Sequence, residues 1–405
     1  MKIGADPKSP GPAVSWPAQP DPLIRPVMPE LDSVRGIAIT GVLLLHGFFW
    51  QYSGFHLSGL PRLFLLATQP GGLGVNLFFV LSGFLITGIL LDSREKPQYF
   101  RRFYTRRALR ILPAYYLLLI LLAVLHQSSA AFLGLSFVYL ANVTHLFGVA
   151  AGYGPLWSLA VEEHYYIFWP AVIYKLTRRH LAMATVGLCL LTPILRGVFF
   201  RLGYTFGLGW YTWFVADGLA TGSLLAIFLR TSVSRKKVAV VCGILMVVGA
   251  ALAVVGRPFG ILTRERVLGA ALQGTLIDIV FAGFLLLVLL LGTSARRRFV
   301  NSSVLRFLGY ISYGLYLIHL LVFRMYDKLC QRFWPSLQPT PEHFSLIVLR
   351  FVLAVGAAIG LAYLSREYFE EKFLRLKDRF AGTTRAAQSP VSQGKKEALS
   401  QEASA

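Results

Sequence analysis

The sequence predicts an all-α protein, a polytopic transmembrane bundle of about ten spans with both termini cytoplasmic. Three observations carry this expectation. Hydrophobic residues make up 55% of the chain and charged residues only 15%. With a mean hydropathy of +0.59, that balance cannot cover a soluble surface. Apolar runs long enough to cross a bilayer recur along most of the length. Between them, lysines and arginines collect in alternate loops, which is how a membrane protein fixes its orientation.

Residues 1–30 are proline-rich and polar and read as a disordered cytoplasmic leader. The apolar run that follows has no cleavage site and is expected to be retained. Spans are expected near 34–52, 73–91, 110–126, 157–175, 181–200, 210–229, 238–256, 267–292, 308–325 and 345–364. The segment 130–148, AAFLGLSFVYLANVTHLFG, is apolar but lacks flanking charges. It is expected to be an outer-face or re-entrant element, with an eleventh span as the rival. The inner loops hold Arg94, Lys96, Arg101, Arg102, Arg106, Arg107 and Arg110, then Lys175, Arg178 and Arg179. Further on they hold Arg230, Arg235, Lys236 and Lys237, then Arg296, Arg297, Arg298 and Arg306. The opposite loops are poorer in basic residues. From Arg366 a charged amphipathic helix is expected along the inner membrane surface, then a disordered tail. The division expected is a leader (1–30), a transmembrane domain (31–372) and a charged helix end with tail (373–405), with no soluble catalytic domain attached.

The formal net charge of +21 raises nucleic acid as a partner. The basic residues fall in short runs between apolar segments, which argues for membrane lipids and against nucleic acid. Cys189 and Cys242 lie in apolar runs and Cys330 is expected in a loop. Their spacing suggests neither a metal site nor a disulfide framework.

Ionisable residues within spans mark the chemistry. In LDSVRGIAITGVLLLHGFF, Arg35 and His46 share one helix face, roughly 16 Å apart along the axis. Arg35 falls near the cytoplasmic edge and His46 near the bilayer midplane, a costly depth that marks a functional candidate. A histidine hydrogen-bonded between helices is the plain alternative. His46 could act as a general base or as a nucleophile. In YFRRFYTRRALRILPAYY, Arg107 and Arg110 share a face. Paired guanidinium forks suit phosphate, although the cluster also serves simply to fix topology. GGLGVNLFFVLSGFLI supplies Asn76, Ser82 and glycines that allow close helix approach. In GPLWSLAVEEHYYIFWP, Trp157 suits the outer interface, and Glu162 and Glu163 enter the membrane beside His164. Glu162 could accept a proton, orient His46, or pair with Arg196 or another cation. Asp217, Asp278 and His319 reach similar depth, so a single polar centre with His46 and Glu162 is expected.

These segments together resemble the membrane-bound acyltransferase 3 family, which includes bacterial O-antigen, exopolysaccharide and peptidoglycan O-acetylases and macrolide acyltransferases. The resemblance covers residues 31–372. Arg35 and His46, preceded by Asp32, are similar to its R-x10-H motif. Arg107 and Arg110 match an inner-loop Arg-x-x-Arg. WSLAVEEHYY resembles its Trp-Ser-Leu-x-x-Glu motif, with Glu162 at the glutamate. ISYGLYLIH, with Tyr313, resembles a late motif ending in histidine, here His319. Asn76, Val215 and His164 depart from residues frequent in the family. The resemblance implies an integral membrane O-acyltransferase of the cell inner membrane. Its donor would be cytoplasmic acetyl-CoA or another acyl-CoA, used as substrate, with no permanently bound cofactor and no metal. Its acceptor would be a hydroxyl of a glycan or lipid-linked glycan, and a separate periplasmic partner could receive the acyl group. It implies His46, Arg35 and Glu162 as catalytic residues and Arg107 and Arg110 as the donor site. Asp32, Ser82, Trp157, Glu163, Asp217, Tyr313 and His319 would support the substrate. A proton-coupled transporter of a small solute or glycan precursor is the competing expectation, since buried His, Glu and Asp also suit proton coupling.

Overall fold

A computed structural model describes residues 23–25, 27–292, 302–340 and 343–380. Every regular element among the described residues is helical, as lipid requires of a chain that must satisfy its own backbone. In order these are α1 (Pro29–Leu44), a π-helical turn (Leu45–Phe49), α2 (Trp50–Tyr52), α3 (Gly59–Thr68), α4 (Gly74–Ser93), α5 (Tyr99–Val124) and α6 (Ala130–Phe137). Then come α7 (Leu156–Lys175), α8 (Arg178–Arg201), α9 (Thr212–Leu229), α10 (Arg235–Gly256) and α11 (Val267–Gly292). The described residues close with α12 (Ser303–Phe333), α13 (Phe344–Leu364), a second π turn (Ser365–Glu370) and α14 (Glu371–Phe380). Nine helical segments are long and apolar enough to cross a membrane among the described residues. The tenth long helix is α7, whose 20 residues reach about 30 Å. Its Glu162, Glu163 and His164 interrupt the apolar run that the other nine keep.

Several boundaries differ from expectation. The third span begins at Tyr99, not near 110, so Arg101 to Arg110 ride on the first turns of a helix instead of in a loop. The ninth runs to Phe333, not 325. Cys330, expected in a loop, is therefore helical and buried. Residues 130–148 are not an eleventh span. They form an eight-residue helix, a turn and a 3-10 turn (Thr144–Phe147), held on α5 where Tyr115 Oη donates to the Ser136 carbonyl at 2.7 Å. Of the expected leader, residues 1–22 and Pro26 lie outside the described residues, while Leu23 is buried in the core. Arg296, Arg297, Arg298 and the tail from 381 also lie outside them. The charged helix α14 packs against α5.

Two pairs of parallel helices organise the bundle through glycine. Between α1 and α12, a Cβ on Gly36 would overlap the Leu305 carbonyl, and one on Gly309 the Asp32 carbonyl. Between α4 and α9, Gly83 meets the Leu219 carbonyl and Gly222 the Val80 carbonyl in the same reciprocal way. Small residues let backbones approach where lipid supplies no hydrophobic drive between helices. Gly83→Ala is therefore expected to cost about 1–3 kcal/mol through forced separation, read as a lowered melting temperature in detergent. Gly187→Ala, with open space around its Cβ, should lose nothing. Equal losses at both positions would rule out the close-approach account.

Candidate active site

Five helices converge on one cavity of about 180 Å³. From α1 it receives Arg35, from α4 Ser82, from α5 Arg107 and Arg110, from α7 Ser158 and Glu162, and from α12 Tyr313 and Tyr316. Glu162 is fixed from two sides: Ser82 Oγ donates to its Oε1 at 2.8 Å, and Tyr166 Oη, one turn along α7, donates to its Oε2 at 2.9 Å. The Arg107 guanidinium lies over the Tyr166 ring, 3.9 Å from its centroid, a stacking that planar guanidinium favours. Its Nε is buried without a hydrogen-bond partner among the described residues. Arg35 pairs with Asp32 one turn back on α1, and Tyr313 Oη donates to the Ile111 carbonyl at 2.8 Å. Three guanidiniums thus face one carboxylate in this cavity, an arrangement that favours an anionic ligand with forked acceptors.

His46 does not line that cavity. It sits on the π turn that interrupts the first span, and such turns recur where a side chain is aimed for function. Its partner is His319 of α12: the rings are 5.0 Å apart, and His46 Nδ1 lies 3.2 Å from His319 Nε2. Between this pair and the cavity stands Tyr316. It lines the cavity, its hydroxyl is 2.6 Å from Ser158 Oγ, and its ring is 5.8 Å from that of His319. The cavity and the histidine pair therefore share one wall.

The expected single polar centre resolves into separate groups. Arg196, expected as a possible partner of Glu162, instead makes a two-pronged pair with Asp217 at 3.1 and 2.8 Å. Asp278 accepts from Asn76 Nδ2 at 2.9 Å. An aspartate at position 76 would set two carboxylates against each other, so the asparagine suits this neighbour. None of these residues lines the cavity. The Glu163 side chain also lies outside its lining and takes no hydrogen bond or ion pair among the described residues. His164 Nδ1 is 2.7 Å from Thr212 Oγ1, and Trp157 packs edge-on against Phe79 at 5.9 Å. Among the described residues no cluster of three or more His, Cys, Asp or Glu could hold a metal.

Three participants were not singled out from sequence. Tyr316 and Ser158 stand inside the quoted motifs, but their pairing depends on which helices are neighbours. Arg350 is buried inside an apolar run, and that alone is a signal. Its partner, Asp327, held at 2.6 and 2.7 Å, falls just past the expected end of a span.

The chain matches the acyltransferase domain of the acyltransferase 3 family over residues 28–366, and it belongs to that family. It is 27% identical over 385 residues to the peptidoglycan O-acetyltransferase OatA of Listeria monocytogenes, covering 85% of this chain and 56% of OatA. YrhL of Bacillus subtilis, provisionally assigned as a peptidoglycan O-acetyltransferase, is 34% identical over 164 residues, covering 35% of this chain and 23% of YrhL. A Staphylococcus aureus protein provisionally assigned as an O-acetyltransferase is 32% identical over 169 residues, covering 37% and 25%. The chain thus spans about half the length of OatA, and its matches to the other two cover about a quarter of each. No solved structure matches it.

Proposed function

We propose that this protein is a membrane O-acyltransferase that moves an acyl group, in the first instance acetyl, from cytoplasmic acyl-CoA to a hydroxyl of a sugar on a glycan or lipid-linked glycan. The observation that carries the proposal is the convergence of Arg35, Arg107, Arg110 and Glu162 on one cavity that shares Tyr316 with the His46–His319 pair. The arginines hold the donor phosphates, and the orphaned Arg107 Nε supplies a donor ready for such a ligand. The thioester arm extends past the Tyr316–Ser158 contact toward His46. Glu162, locked by Ser82 and Tyr166, orients the guanidiniums. The curated relatives named as O-acetyltransferases support the same chemistry. Proton-coupled transport is less well supported, because Asp217 and Asp278 are bonded within the bundle and line no cavity.

The test is transfer of label from acetyl-CoA to a glycan acceptor by the purified protein in lipid. Absence of transfer to any glycan would reject the proposal. An Arg107→Ala, Arg110→Ala double variant should bind CoA about tenfold or more weakly, since hydrogen bonds to charged groups contribute about 1.5–3 kcal/mol. The loss should shrink as salt rises. Unchanged affinity would remove the pair from the donor site.

A further inference from the structure

We infer that His319 is the positioning residue of the reaction, holding His46 in the tautomer that carries its proton on Nδ1 and its lone pair on Nε2, so that His46 Nε2 takes the proton of the acceptor hydroxyl. The inference rests on the acyl-transfer reading and assigns atoms within it.

The hydrogen-bond partners fix each nitrogen in turn. His319 Nδ1 lies 2.8 Å from the Tyr316 carbonyl and 3.3 Å from the Leu315 carbonyl. A carbonyl only accepts, so this Nδ1 carries the hydrogen. A neutral imidazole protonated on Nδ1 has its lone pair on Nε2. That Nε2 faces His46 Nδ1 at 3.2 Å, so His46 Nδ1 must donate. The same Nδ1 is 3.1 Å from the Val42 carbonyl, a second acceptor that also demands an N–H. His46 Nε2 is left with a lone pair and no partner among the described residues. A charged His319 would place N–H against N–H and leave a buried cation unpaired, which is costly.

The surroundings brace both rings. Tyr153 is buried, and its hydroxyl donates to the Leu317 carbonyl at 2.7 Å while accepting from the Leu321 amide at 3.0 Å. It bridges the two backbone groups that a regular helical turn would pair with each other, with His319 between them. On the other side, Arg350 donates to the Gly47 carbonyl at 3.3 Å, next to His46, and is itself clamped by Asp327. Triad logic is satisfied here with a neutral imidazole in the orienting place usually given to a carboxylate.

In the step, the acceptor hydroxyl gives its proton to His46 Nε2 as its oxygen bonds to the acyl carbon. The acyl C–S bond breaks, and the thiolate leaves and takes the proton back from Nε2 as CoA thiol. His46 is cationic only in between, and His319 keeps one protonation state throughout.

The experiment is nitrogen NMR on the full chain in lipid nanodiscs with labelled histidine, the His46 signals being assigned by their loss in His46→Gln. The Nδ1–H tautomer of His46 is expected in the wild type. In His319→Leu only the Val42 carbonyl is left to accept from His46 Nδ1, so that preference should weaken and kcat should fall by about a hundredfold, with KM for acetyl-CoA unchanged. His319→Gln, whose amide oxygen can accept from His46 Nδ1, should restore much of both. An Nε2–H tautomer in the wild type, or full kcat in His319→Leu, would overturn the inference. If the wild type transfers no acyl group at all, the functional reading fails separately, and the tautomer spectrum still decides whether His319 fixes the His46 tautomer.

Discussion

His46→Ala is expected to lower acyl transfer by about 10²–10⁴-fold while leaving a folded bundle. The range is that of a positioned general base. His46 carries the only free lone pair of the histidine pair, and His319 Nε2, freed by its loss, lies on the far side of the vacated ring. The structural cost should be tolerable. His46 is half-buried, and its removal leaves His319 Nε2 without its donor, a loss of about 1–3 kcal/mol. Initial rates with labelled acetyl-CoA, set beside a melting curve and gel filtration in detergent, separate the two effects. His46→Gln keeps more of the packing and should be equally inactive. Undiminished turnover in either variant, once shown to be folded, would sink the assignment of His46 as base. If the fold were built for transport instead, the same variants would change solute uptake and no acyl transfer would be found to lose.

The sequence revealed the axial position of each polar group but not its neighbours. Hydropathy placed ten long helices, because a bilayer-length apolar run has few other uses. The motifs placed Arg35, Arg107, Arg110 and Glu162 together, and they do line one cavity. Depth alone also suggested that His46, His319, Glu162, Asp217 and Asp278 meet. His46 does meet His319, and Asp278 lies beside the turn that carries Asp217, but the two groups and Glu162 are apart. Equal depth says nothing about azimuth, and in a bundle of many helices two residues at one level can face different partners. Thus Asp217 faces α8 and Asp278 faces Asn76 of α4, while His46 faces α12. The early start of α5 was hidden for a related reason. Five arginines between 101 and 110 look like a loop to a hydropathy window, yet their helix packs its apolar residues Tyr99 and Phe103 inward. The π turn under His46 has no sequence signature at all. It is visible only in the backbone, where Gly47 lies against Phe351 and Phe323.

Asp217→Ala should be the most destabilising single change in the membrane domain, at about 3–5 kcal/mol, the usual loss when one partner of a buried ion pair is removed. Arg196 and Asp217 are almost fully buried, at 4% and 1% exposure, so the stranded guanidinium could not reach water. The pair is also the knot of a network: Arg196 donates to the Phe214 and Ala271 carbonyls, and Thr275 Oγ1 donates to Asp217 Oδ2 at 2.6 Å. These contacts tie α8, α9 and α11 together. Replacing both partners, as Arg196→Met with Asp217→Leu, should recover much of the loss, because neither member of the pair is left stranded. Denaturation in detergent measures the stability. Turnover per folded molecule at low temperature measures the site, and it should stay near wild type, since neither residue lines the cavity. A variant Asp217→Ala with unchanged stability and lost kcat would move this aspartate from the frame of the bundle into its chemistry, the substrate-supporting role that the family resemblance implies.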